Sequence, residues 1–169
     1  MTEFTFAPLG PGHDRAGFAC GVAPLDRYFR ELAAQDVRRR VSNCFVALDP
    51  ARKVAGYYTF AATSLPLPEL VPEHARRLPR YAALPACLIG RLAVDQAFRG
   101  RGVGSAMIVD AIARAMRAEP AIFALIVDAK DDAALGFYEH LGFHRFVSRP
   151  ITLYLPIAEA ARRLGSSGG

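Results

Sequence analysis

The chain has 169 residues, 52% of them apolar and 22% charged, with no tryptophan and a formal charge of +5. That length and balance fit one folded domain with a sizeable core and exclude a disordered chain. No apolar run reaches the ~18 residues of a membrane span. The opening MTEFTFAPLGPGHDR lacks the basic-then-apolar order of a secretory signal, so a cytoplasmic protein is expected.

Eleven of the 21 basic residues precede residue 86 and ten follow it, so there is no basic tail. Two clusters stand out, Arg38-Arg39-Arg40 and Arg76-Arg77 with Arg80. They read either as solvated surface or as an electrostatic footprint for a polyanion such as RNA. Cys20, Cys44 and Cys87 are far apart in apolar surroundings. They match neither a metal spacing nor a disulfide framework, and read as buried thiols.

In chain order, PLDRYFRELAAQDVRRR predicts a first helix. Pro24 suits its opening turn, Asp26 its N-terminus, and Leu25, Tyr28, Phe29 and Leu32 share its apolar face. CFVAL and VAGYYTFAATS predict strands joined by DPARK. LPLPELVPEHARRLPR is too Pro-rich for a long helix and reads as a loop with one short helical turn. ACLIGRLAVD reads as a long strand, with Gly90 marking a bulge or a close backbone approach. GVGSAMIVDAIARAMRAEP predicts a helix with Ala106, Val109, Ile112 or Ala113, and Met116 inward, ended by Pro120. AIFALIVDA is a continuous apolar strand, buried on both faces. DDAALGFYEHLGF predicts a short helix with Asp131 as N-cap, Gly142 just past its end and Phe143 as the hydrophobic closure. HRFVSRPITLYLP supplies the last strand or two. A mixed sheet with packed helices follows, as one domain over 1–164 with a frayed tail at 165–169.

RLAVDQAFRGRGVGSAM places glycines and arginines between a strand end and a helix start. Glycine there is unfavourable unless something approaches the backbone closely. Exposed N–H groups and the helix dipole make an anion site, usually for phosphate. A P-loop is excluded, because no lysine precedes Ser105. A dinucleotide fingerprint would need glycine at 105 and an early place in the chain. Arg99, Gly102 and Gly104 meet a third pattern, R-x-x-G-x-G. A tight glycine turn holding nothing is the plain alternative.

That stretch resembles the coenzyme-A motif of the GNAT N-acetyltransferases, Gln/Arg-x-x-Gly-x-Gly/Ala. FYEHLGF, after the next strand, resembles the family's Tyr-x-x-x-Gly-Phe segment. The resemblance implies a mixed α/β fold: a twisted, mostly antiparallel sheet with a splayed parallel strand pair and helices on both faces. It implies that Leu92, Ala93 and Val94 hydrogen-bond the pantetheine arm of acetyl-CoA through their backbone. Arg99, Gly100, Arg101, Gly102, Val103, Gly104 and Ser105 would wrap its pyrophosphate. FACGVAPLDRYFRELAAQ, LIGRLAVD, ALIVDAKDDAALGFYEHLGF and PITLYLPI, over roughly residues 17 to 158, are similar to the acetyltransferase toxins of bacterial toxin–antitoxin modules. The similarity implies acetylation of the α-amine of aminoacyl-tRNA, a block of translation, a homodimer and a ribbon-helix-helix antitoxin. Asp131 departs from the superfamily, where many members have Asn, and a capping role suits it better than cofactor binding.

The chemistry needs a neutral amine and a leaving thiolate. An α-amine near 7.7–8.0 is substantially neutral at cellular pH, whereas a lysine amine near 10.4 is not. An aminoacyl ester lowers the α-amine further. A phenol can protonate the departing thiolate. From the helix pattern alone, Tyr138 lies at the edge of a stripe of Ala134, Phe137 and Leu141 and reads as an amphipathic core tyrosine; the resemblance makes it the general acid. Phe98 and Phe137 read as packing residues, and Phe137 is a candidate to flank the thioester. His13, His74, His140 and His144 are scattered, with no pair at ligand spacing, and no metal is expected. Asp128, Asp131 and Asp132 are better explained in part by a helix start.

Three functions compete: a tRNA-directed toxin, with Arg38, Arg39, Arg40, Arg76, Arg77 and Arg80 as phosphate contacts; an acetyltransferase for a small amine or a protein N-terminus; and an inactive cofactor- or antitoxin-binding module. No acidic run outside 128 to 132 offers a cleft for a small cationic amine.

Overall fold

The computed structural model describes residues 3–167. Strands and helices alternate as a mixed α/β fold, mostly antiparallel, with one parallel strand pair. The chain divides into two units, one over 1–61 and 89–111, the other over 62–88 and 112–169.

In the first unit, β1 (Thr5–Pro8), β2 (Asn43–Leu48) and β3 (Val54–Pro66, as far as Ala61) pair antiparallel in that order. β1 went unpredicted. The turn between β2 and β3 closes where Arg52 takes φ +65°. The first helix is real but interrupted. α1 (Ala23–Arg27) and α2 (Ala33–Arg38) are joined by a π-helical turn at Tyr28–Leu32. The wider turn rotates everything after it. Tyr28, Phe29 and Ala33 are therefore buried, while Leu32 is 45% exposed, against expectation. Phe29 stacks on Tyr57 with centroids 4.4 Å apart, Phe18 meets both edge-on, and the Tyr57 hydroxyl donates to the Leu25 carbonyl at 2.7 Å. Asp26 is buried because its carboxylate accepts the Cys20 N–H at 2.8 Å.

The long strand expected around Gly90 is two, β4 (Ala83–Ile89) and β5 (Leu92–Val94). β5 lies antiparallel on β3, Tyr57 opposite Ala93. This pairing requires Gly56: a Cβ there would sit 2.9 Å from the Ala93 carbonyl oxygen.

α4 (Val103–Arg117) buries Val103, Met107, Ile108, Ala111, Ile112 and Ala115. The expected inward stripe was offset, since Val109 and Met116 are about half exposed. Asp110 accepts the buried Tyr58 hydroxyl at 2.6 Å, so a charged residue also faces this side of the helix.

In the second unit the strand order is β4, β6 (Ala124–Asp128), β8 (Thr152–Pro156), β7 (His144–Arg145). β4 and β6 form the parallel pair; the other neighbours are antiparallel. The Pro-rich segment has no long helix, as expected, but holds two short helical pieces where one was expected, a 3-10 turn at Leu67–Glu69 and α3 (Pro72–Ala75). Glu69 ties it down, accepting the Ser148 N–H at 3.1 Å and hydroxyl at 2.6 Å. α5 spans Asp132–His140. Asp131 caps it, accepting the Ala134 N–H at 2.8 Å, and Gly142 leaves it at φ +100° with Phe143 buried. α6 (Ile157–Ser167) was not foreseen and runs through the start of the expected tail; residues 168 and 169 lie outside those described.

Candidate active site

The loop after β5 is fixed from both ends. Asp95 is buried; one carboxylate oxygen caps the turn Gln96–Phe98 through the Ala97 N–H at 2.9 Å, and the other accepts the Ala19 N–H at 3.0 Å. Its own N–H donates to the Ala55 carbonyl at 2.8 Å. The guanidinium of Arg99 donates to the Cys20 carbonyl at 2.8 Å, tying the loop to the segment before α1.

Beyond Arg99 the chain opens. Gly100 and Gly102 both take φ +76°, and nothing lies within 4 Å of where a side chain would project from either. The first bond of α4 runs from the Ala106 N–H to the Gly102 carbonyl at 3.0 Å. The N–H groups of Val103, Gly104 and Ser105 thus fall in the helix's unpaired first turn. Gly104 has no side chain, Ser105 is half-buried and the Val103 side chain is core, so what is offered there is mainly backbone. The loop has the open N–H groups, positive dipole end and lack of side-chain obstruction that a diphosphate requires.

Its two arginines are already engaged. Arg101 pairs with Glu3 and lies over the rings of Phe4 and Phe98, 5.7 and 5.1 Å from their centroids. Phe98 is thus a buried packing residue and a platform for this cation. β5 supplies the other half of the expected site. Among the described residues its one strand neighbour is β3, so one edge of Leu92–Val94 keeps its backbone groups unpaired.

In the second unit, Tyr138 is the buried residue of α5, not an edge residue. Its ring meets Phe137 at 5.2 Å and Phe143 at 5.5 Å. No hydrogen bond among the described residues engages its hydroxyl, and since no buried side-chain oxygen among them lacks a partner, that oxygen is accessible at the edge of a buried ring. Burial, reinforced by the Asp128 carboxylate, pushes its pKa up to about 12. Such a phenol stays protonated at cellular pH, the state a general acid starts from. Asp128 itself accepts the Thr152 hydroxyl at 2.7 Å, and Asp131 is a cap.

All three cysteines are buried and outside any disulfide, and burial raises Cys44 to about 12 and Cys87 above the usual thiol value. They are poor nucleophiles. Arg38, Arg39 and Arg40 end α2 and are exposed, as are Arg76, Arg77 and Arg80 after α3. Arg40 holds φ +60°, a left-handed conformation uncommon for a side-chain-bearing residue. Sequence reasoning missed one group. His74 and His144, 70 positions apart, meet with ring centroids 4.7 Å apart beside Glu159. No local spacing signals such a pair.

The family model described as an acetyltransferase (GNAT) domain matches residues 40–145. A tRNA-acetylating toxin of Mycobacterium tuberculosis is 34% identical over 159 residues, covering 93% of this chain and 94% of its own length. The structure of AtaT complexed with acetyl-methionyl-tRNAfMet superposes with a TM-score of 0.85 at 23% identity, covering 95% of this chain and 99% of that one. A tyrosine-to-phenylalanine mutant of AtaT, bound to the C-terminus of its antitoxin and acetyl-CoA, gives 0.77 at 22% identity, covering 96% and 99%. Open helix start, one-sided strand and buried phenol thus sit in a chain that belongs to the GNAT acetyltransferase family.

Proposed function

We propose that this acetyltransferase moves the acetyl group of acetyl-CoA to the α-amine of an aminoacyl-tRNA and acts as a translation-blocking toxin. The relative from Mycobacterium tuberculosis is named a tRNA-acetylating toxin, and AtaT was solved with acetyl-methionyl-tRNAfMet. The observation that carries the chemistry is the Tyr138 hydroxyl, accessible at the edge of a buried ring and engaged by no described residue. The unpaired edge of Leu92–Val94 takes the two amides of pantetheine. The glycine loop from Arg99 to Ser105 takes the diphosphate on backbone N–H groups, and Phe137 flanks the thioester.

The neutral amine attacks the thioester carbonyl, forming the N–C bond. The C–S bond breaks, and the departing sulfur takes the Tyr138 proton. The nitrogen loses its extra proton to water, and the phenolate regains one from solvent. No side-chain base is required, because the ester keeps the amine pKa below the ordinary 7.7–8.0. Incubation with labelled acetyl-CoA and total charged tRNA tests this directly. Label is expected in N-acetyl-aminoacyl-tRNA; label only in small amines or peptide N-termini overturns it.

RNA contact falls to Arg38–Arg40 and to Arg76, Arg77 and Arg80. Each phosphate neutralised steepens the fall of log affinity with log salt by about 0.7–0.9. Replacing Arg38 and Arg39 by Ala and Arg40 by Gly, which suits its φ of +60°, is expected to flatten that slope by about 2. Acetyl-CoA affinity should stay unchanged. An unaltered slope in a filter-binding titration would remove this cluster from the interface. The same reading makes the protein a cytoplasmic homodimer restrained by a ribbon-helix-helix antitoxin. No described helix is long and apolar enough to cross a membrane, and AtaT is known with its antitoxin bound.

A further inference from the structure

The second unit gathers one set of metal-binding donors that the transfer reaction does not use. His74 stands in α3, His144 opens β7 and Glu159 lies in the first turn of α6. One donor atom from each lies within 4.8 Å of the other two, and all three residues are half-buried. His144 Nε2 is 3.1 and 3.3 Å from the two Glu159 oxygens, and His74 Nε2 is 3.9 Å from Oε2. Donors bound ~2.0–2.1 Å from a tetrahedral ion stand ~3.3 Å apart, so these separations bracket the ones a zinc ion imposes.

Behind His74 the support is in place. Its Nδ1 lies 2.8 Å from the Tyr154 hydroxyl, which already accepts the Val71 N–H at 2.9 Å. The phenol oxygen has a second lone pair for the Nδ1 proton. In that tautomer the Nε2 lone pair is left for an ion on the Glu159 side. A metal-bound imidazole is oriented in the same way, by donating its other N–H to a fixed acceptor. Arg163, one turn beyond Glu159, approaches the carboxylate at 3.7 Å. It competes for that oxygen through a side chain that is 59% exposed.

We propose that His74, His144 and Glu159 bind a divalent late-transition ion, zinc fitting best, with water completing a four-coordinate shell. The ion clips the Pro-rich segment carrying α3 to β7 and α6. Its role is structural and independent of the acetyl transfer. The competing account is a hydrogen-bonded His–Glu–His network with no ion.

The full chain, stripped with chelator, is titrated calorimetrically with zinc chloride. One ion per chain is expected, with micromolar or tighter affinity. Tm should rise by about 5–10 °C at a free ion concentration about 100 times Kd. His144→Ala and Glu159→Gln should each weaken binding about tenfold or more, while His13→Gln and His140→Gln should not. Should the cluster variants fail to fold, the native chain decides. Zinc must then shift the ring-nitrogen NMR signals of two of its four histidines, and the two control variants must show that the unshifted pair is His13 and His140. Absent binding, binding that survives the cluster variants, or a shift in a different pair of rings overturns the site and leaves the network alone.

Discussion

Replacing Tyr138 by Phe is expected to lower kcat about 10²–10⁴-fold while leaving the calorimetric Kd for acetyl-CoA unchanged. The substitution keeps the ring among Phe137 and Phe143 and deletes one oxygen. That oxygen has no hydrogen-bond partner among the described residues, so its loss strands no protein group and Tm should barely move. The pH profile separates this role from a structural one. Burial and then Asp128 hold the phenol's pKa at about 12, against an ordinary 10. The proton-bearing form is thus favoured in the folded protein; its contribution to stability is complete below pH ~10 and lost only as pH rises through the folded value. The rate should climb through the amine's pKa below about 8 and stay level to about pH 10. A falling limb between pH 8 and 9, or unchanged turnover in the variant, would assign the proton to another group.

Gly102→Val addresses the anion loop. Nothing lies within 4 Å of the site a Cβ would occupy, so the cost is conformational and not a clash. At φ +76° a side chain adds about 1–2 kcal/mol, more for a β-branched one. The loop either bears that strain or turns its peptides, withdrawing the N–H groups proposed to meet the diphosphate. Acetyl-CoA Kd should rise about tenfold or more, the equivalent of about 1.4 kcal/mol. Gly136→Ala is the matched control. That glycine is also uncrowded but sits inside α5, and the exchange should leave affinity intact and add about 0.4–1 kcal/mol of stability. Equal affinities in the two variants would mean the loop does not bind the cofactor.

What could be read from the sequence was what is written locally. Asp131, Gly142 and Phe143 bracket α5 as their chemistry requires, and the glycine loop lies between β5 and α4 as expected. The losses came where distant contacts decide. The π-helical turn at Tyr28–Leu32 advances the buried face to Ala33 and leaves Leu32 outside. In α4 the apolar residues admit two stripes, and the distant Tyr58 hydroxyl, bonded to Asp110, helps select the one that is buried. The His74–His144 contact depends on two elements far apart in sequence, α3 and β7, so no window of sequence contains it.

β5 is three residues long and paired along one edge. Three residues span ~10 Å. An edge that short is a poor template for another protein chain, since strand recruitment needs a longer ladder. It is long enough for the two amides of one pantetheine arm. On the proposed reading, the brevity of the strand acts as a filter: an open edge for a thin linear ligand is kept without exposing the protein to edge-to-edge aggregation whenever acetyl-CoA is scarce.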